Sequence, residues 1–220
     1  GKGFAKYGDT LQKRPWLYGS LALLFMIVLA IPMFGMRSGF PDAGGRPEGN
    51  TTRIAYDLTT EGFGAGANGP FLVVVEMPNA GSVPAANALS QKLAKTPGVA
   101  TASPVIPGTP SVTPDGTTAI IQVQPTTGPQ DQATSDLLEN LRTNVIPAAT
   151  AGTGLTAYVG GSTAVVDDFS QVLADALPLF LAVVVGLGFL VLVLLFRSLV
   201  IPLTAAATAL LSFGAALGIT

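Results

Sequence analysis

The sequence predicts an α+β membrane protein in which apolar helices flank one polar-surfaced domain. Three observations carry that prediction. From Ala176 to Phe196 run 21 residues without a charge, and from Ser198 to Thr220 another 23. At 1.5 Å per residue the first makes a helix of about 31 Å, against a bilayer hydrocarbon core of roughly 30 Å. Pro15 to Met36 is a further uncharged run of 22 residues, opened by Trp16 and Tyr18. Between that run and Ala176 lie 139 residues of different character.

Composition agrees. Of 220 residues, 49% are hydrophobic and only 11% charged, where soluble domains carry about 25% charged residues. There is no cysteine and no histidine. That excludes disulfides, thiolate sites and the commonest general base, so no catalytic residue, metal site or cofactor is expected. A net charge of −2 provides no footprint for nucleic acid. Residue 1 is glycine and the last apolar run reaches Thr220; the chain is expected to be a piece of a longer polypeptide, with its third span truncated.

Residues 1–14 hold Lys2, Lys6, Lys13 and Arg14 against Asp9. This basic flank before an apolar run reads as cytoplasmic, with 15–36 a transmembrane helix. The run is longer than the roughly 7–15 residues of a signal peptide core. Residues 37–175 carry six basic and twelve acidic side chains, so the positive-inside rule places them outside the cytoplasm. Residues 176–196 and 198–220 then form a hairpin of two spans around Arg197, with room for only a tight turn.

Inside 37–175 the entry is a glycine- and proline-rich loop from Ser38 to Asn50. Thr51 or Thr52 caps a helix to about Glu61, with Ile54, Leu58 and Ala55 on one face. Gly62 to Pro70 interrupts it as a flexible turn. Phe71 to Val75 is a buried strand and Val83 to Lys95 a helix with Ala86, Leu89 and Leu93 inward. Val99 to Val105 and Thr117 to Val123 are strands joined by a long proline-rich turn. Thr127 or Asp131 opens a helix carrying Leu137, Leu138, Leu141 and Val145, ended near Pro147. Leu155 to Val159 is the last strand, and Ser162 caps a helix that continues into the hairpin past Pro178. The order strand, helix, strand, strand, helix, strand is the split βαβ, or ferredoxin-like, arrangement.

Gly64 to Gly69 formally matches GxGxxG. A dinucleotide site needs a strand before the glycines and a helix after, and here the order is reversed. Asp167, Asp168 and Asp175 are candidates for a gate or coupling site above the membrane. The plainer reading is a solvated helix start, where acids meet the positive end of the dipole. Glu76 ends an apolar strand, where a substrate contact and an edge position explain it equally. The spans hold no ionisable residue, so no proton relay lies in this segment. Gly214 and Gly218 form a GxxxG that permits close helix packing, as small residues such as Gly186, Gly188, Ala205 and Ala209 also do.

Several stretches together resemble the MMPL family of the resistance-nodulation-division transporters. They are the basic entry to Pro15, AYDLTTEGFGAGANGPFLVVVE (Ala55 to Glu76) and PTTGPQDQAT (Pro125 to Thr134). YVGGSTAVVDD (Tyr158 to Asp168) and LPLFLAVVVGLGFLVLVLLFRSLVIPLTAA (Leu177 to Ala206) are the most specific. The resemblance implies a segment of the second half of such a transporter, its ectodomain a porter domain and its spans the seventh, eighth and start of the ninth. It also implies proton-driven export of lipids or other hydrophobic compounds. An Asp–Tyr relay in the fourth and tenth spans would lie outside this chain. The implied partners are the bilayer, the remaining spans, the other porter domain and a hydrophobic substrate. From the residues alone, an anchored ectodomain serving as sensor, adhesion or assembly module is the alternative.

Overall fold

The computed structural model describes residues 13–35 and 42–219. Lys2, Lys6, Met36, the loop entry before Asp42 and Thr220 lie outside the described residues. The chain divides into two compact units, one over Gly1–Ser38 and Ala174–Thr220, the other over Gly39–Leu173.

In the Gly39–Leu173 unit, hydrophobic residues at alternate positions make a sheet with one buried face. Strand β1 (Phe71–Glu76) buries Phe71, Val73 and Val75 and turns Leu72 and Glu76 outward. Strand β3 (Thr118–Pro125) pairs antiparallel with it, setting Ala119, Ile121 and Val123 opposite Val75, Val73 and Phe71. Strands β2 (Val99–Ala102) and β4 (Thr156–Gly160) complete an antiparallel sheet of order β2-β3-β1-β4. Helix α3 (Val83–Ala94) brings Ala86, Leu89 and Leu93 to the core. Helix α4 (Gln132–Asn140) adds Leu137 and Leu138.

Several expectations change. Helix α2 (Thr51–Phe63) is capped by Asn50, whose side chain accepts a hydrogen bond from the N–H of Thr52 at 3.0 Å. Thr51 and Thr52 are already helical, and the helix passes Glu61. Its Ile54–Leu58 face is exposed, at 47% and 62%; Arg53, Tyr56 and Thr60 are the better covered side chains. The glycine stretch is a hydrogen-bonded 3-10 turn, Ala65–Asn68, with Gly66 buried. A Cβ at Gly66 would overlap the carbonyl of Pro125, so glycine serves close approach there instead of flexibility. Strand β2 stops at Ala102, because Pro104 has no N–H to give a ladder.

A further change is at Pro147, which does not end its helix. α4 passes into a π-helical turn, Leu141–Val145, and on into α5 (Ile146–Thr150). The N–H of Ile146 bonds the carbonyl of Leu141, a five-residue step. The buried stripe follows, from Leu141 to Ile146, and leaves the expected Val145 only partly buried.

Helix α6 (Ser162–Phe196) starts in this unit, and the division between the units falls within it. Ser162 is its first residue and not its cap; the carbonyl of Gly161 accepts from Val165.

In the other unit, helix α1 (Pro15–Ala30) tightens into a 3-10 turn, Ile31–Gly35. A three-residue link, Arg197 to Leu199, joins α6 to α7 (Val200–Ile219). Arg197 takes the left-handed conformation with φ 48°, a helix-ending geometry more often filled by glycine. Among the described residues, three stretches are long and apolar enough to cross a membrane: Pro15–Met33, Ser162–Phe196 and Val200–Gly218.

Burial separates two leucine-class positions that the sequence alone treats alike. Leu93→Ala should lower unfolding stability by about 2–5 kcal/mol, whereas Ile54→Ala should stay within about 0.5 kcal/mol. Thermal unfolding of the purified protein reads both.

Candidate functional site

The acidic start of α6 is built into the sheet unit by one helix face. Thr163, Ala164, Asp167 and Asp168 recur at the spacing that places residues on one side of a helix. Thr163 and Ala164 are buried, and the Thr163 hydroxyl donates to the carbonyl of Gly69 at 3.0 Å. The Ser135 hydroxyl of α4 donates to Asp167 at 2.5 Å. Asp168 receives both arms of Arg142, at 2.5 and 2.9 Å. One of those arms, Nη2, also donates to the carbonyl of Val159 in β4 at 2.9 Å. The hydrogen bond to Asp168 raises the Arg142 guanidinium above its ordinary value, with burial opposing it.

Asp167 and Asp168 therefore do more than decorate a solvated helix end, and they are brought to α4 and the π-turn. Asp175 is exposed and belongs to the other unit. Both carboxylates remain accessible to water, Asp168 at 49% of its side chain. Among the described residues, no group of three or more His, Cys, Asp or Glu could hold a metal ion.

Sequence reasoning missed Arg142, yet a signal was present. It is the only basic residue between Lys95 and Arg197, in a stretch with seven acids. A lone cation in such a field will find a carboxylate. Which carboxylate depends on how β4 folds back, and that is a tertiary fact.

Clefts also open in the same unit. One of about 600 Å³ lies between the proline-rich turn, at Pro107, Pro110 and Pro114, and Ala80 and Val83. A smaller one, about 270 Å³, lies among Asp42, Thr52, Tyr56, Thr59 and Asn68. Burial, and then the charges of Asp42 and Asp131, push the Tyr56 hydroxyl above its ordinary pKa. Glu76 sits at the end of β1, opposite Thr118 and Thr156, and touches neither cleft.

In the helical unit, Gly214 and Gly218 meet α1. A Cβ at Gly218 would overlap the carbonyl of Leu29, and one at Gly214 would lie 3.2 Å from the Ala30 Cβ. Backbone is packed directly on backbone there. Pro178, Leu181, Val185, Gly186, Phe189 and Leu210 line an apolar groove of about 490 Å³. The runs 15–35, 176–196 and 200–219 contain no Asp, Glu, Lys or Arg.

These features define a membrane protein that combines helices of spanning length with a four-stranded antiparallel α/β unit. A model of the MMPL family matches residues 47–220. The chain belongs to the MMPL family. Membrane protein YdfJ of Bacillus subtilis is 38% identical over 213 residues, covering 97% of this chain and 28% of that protein. The mycolic acid-containing lipids exporter MmpL11 of Mycolicibacterium smegmatis is 26% identical, with 98% of this chain and 22% of that protein covered. Heme uptake protein MmpL11 of Mycobacterium tuberculosis is 27% identical over the same shares. The chain thus spans about a quarter of the length of these curated relatives.

Three substitutions test the local readings. Gly218→Val should displace α7 from α1 and lower the yield of folded protein in the membrane, because backbone cannot yield to a branched side chain. Gly186→Val, at a position with nothing within 4 Å of a Cβ, should leave the yield unchanged in the same assay. Asp168→Asn should lower stability by no more than about 1 kcal/mol, since exposed ion pairs contribute little.

Proposed function

We propose that this chain is a segment of a proton-driven exporter of lipids or other hydrophobic compounds. Residues 37–175 form its ferredoxin-like porter domain outside the cytoplasm, and residues 15–36, 176–196 and 198–220 are its spans. Residues 1–14 are the cytoplasmic flank. The observation that carries the reading is the sheet order β2-β3-β1-β4, with helices between β1 and β2 and between β3 and β4, inside a member of the MMPL family. A split βαβ sheet set between spanning helices is the arrangement such a porter needs. The mycobacterial relative named as a lipids exporter supports a lipid-like cargo. The relative named a heme uptake protein points to uptake of heme and does not support export.

The three helices supply coupling and no proton path. A relay in hydrocarbon needs an ionisable side chain facing the bundle interior, and none stands in these runs. The relay, the other porter domain and the remaining spans belong to the rest of the polypeptide. α6 is the coupling element, with Asp167, Asp168 and Asp175 along its first half. No catalytic residue and no cofactor has a place in this reading.

Topology is tested by a single cysteine at Gln91, exposed on α3, in an otherwise cysteine-free background. A membrane-impermeant maleimide should label it in intact cells; labelling only after permeabilisation reverses the assignment. Coupling is tested by inserting Gly-Ser between Asp168 and Asp175 in the full-length protein. Export should fall while membrane abundance stays normal, and undiminished export removes α6 from the coupling path.

A further inference from the structure

Arg142 holds its place because of a residue it does not touch. In a regular α-helix the residue at 147 would donate its N–H to the carbonyl of Thr143. Proline has no such donor, and its ring collides with that carbonyl. The chain resolves the conflict by widening one turn: Leu141–Val145 is π-helical, and the N–H of Ile146 reaches the carbonyl of Leu141. A π-turn adds one residue to the helix, which rotates the flanking segments relative to each other by about 100°. Burial records the rotation. Leu137, Leu138 and Leu141 face the core at α-helical spacing, and the next fully inward residue is Ile146, five positions on.

The widened turn presents Arg142 to the open side of β4. That strand is the last in the sheet order, and an edge strand carries backbone groups that no neighbouring strand satisfies. The carbonyl of Val159 is one that finds a partner, in the Nη2 of Arg142 at 2.9 Å. The same guanidinium grips Asp168 with both arms, a two-point geometry that arginine supports and lysine does not. Three elements thus meet on one side chain: the interrupted helix, the sheet edge and the second turn of α6. No other basic residue lies between Lys95 and Arg197 to take its place.

We propose that Pro147 and Arg142 form a positioning clamp, in which the proline-imposed π-turn aims the arginine so that it fixes the first turns of α6 on the sheet edge. The clamp is independent of what the protein transports. Asp167 and Thr163 add contacts on the same helix face, but neither reaches the edge strand. Arg142 is the side chain that ties α6 back onto β4 beyond their connection at Gly161.

Hydrogen exchange on the full-length protein in phospholipid nanodiscs tests this directly. Arg142→Gln and Asp168→Asn should each speed exchange of the amides at 165–170 about three- to fivefold, the range for loss of a half-exposed two-point ion pair. The double variant should exchange no faster than either single one, because both remove the same clamp. Arg142→Lys should fall between. Pro147→Ala is the decisive variant, since it leaves Arg142, Asp168 and Val159 in place. It should reproduce the faster exchange at 165–170 as the π-turn relaxes to α-helix. In every variant the amides of β1 and β3 should be unchanged. Unaltered exchange at 165–170 in Pro147→Ala overturns the role of the π-turn. Additive effects in the double variant, or a parallel rise in β1 and β3, overturn the clamp itself.

Discussion

A chain that passes from a sheet into hydrocarbon must keep its backbone N–H and C=O groups bonded throughout, because no water waits on the far side. α6 meets that constraint by not ending. It begins at Ser162 against the sheet and runs 35 residues to Phe196, through a proline at 178. Other features of the chain follow from this one. The strand order must deliver the chain at β4, at the edge, where a long helix has room to leave. The first turns of that helix must be held by side chains, since no backbone ladder reaches them.

The holding is done with small, short-range contacts. Thr163 bonds a backbone carbonyl at Gly69, Asp167 takes a hydroxyl from Ser135, and Asp168 takes Arg142. The contacts of Asp167 and Asp168 are modest at their partly exposed sites, while that of Thr163 is buried. Their strength lies in number and in sharing one helix face, so that α6 cannot rotate without losing all of them together. In the helical unit the logic differs. Hydrocarbon gives no hydrophobic drive for helices to associate, so contact depends on how closely backbones approach. Gly218 against the carbonyl of Leu29 and Gly214 against Ala30 supply that closeness, with no charge required.

How much of this was readable depended on the range of the deciding interaction. The apolar run Phe71 to Val75 and the alternation in Ala119 to Val123 are local signals, and both strands stand where those signals put them. The leucines of α3 are equally local. Misreadings came where a distant or competing group decides. Asn50 displaces the threonines because its side chain reaches the Thr52 N–H from outside the helix. Gly66 looks flexible until Pro125, 59 positions later in the chain, is seen to fill the space where a side chain would go. Pro147 reads as a stop only while the α-helical bond is taken as the sole option. For the site, the acids of α6 were visible as an acidic group, while their partners were not. Arg142 lies 26 positions from Asp168, and only the return of β4 closes that gap.

The distribution of charge sharpens the division between the two units. Asp, Glu, Lys and Arg are concentrated in the Gly39–Leu173 unit and missing from the three apolar runs. The three apolar runs offer no Asp, Glu, Lys or Arg that could take up a proton in hydrocarbon. α6 is the element common to both units, by sequence continuity alone. Its hold on the sheet unit passes through Arg142, and the direction of that side chain is set by a proline five residues away. A substitution at 147 therefore belongs with substitutions at 142 and 168 in its consequences, though it lies on neither side of the ion pair.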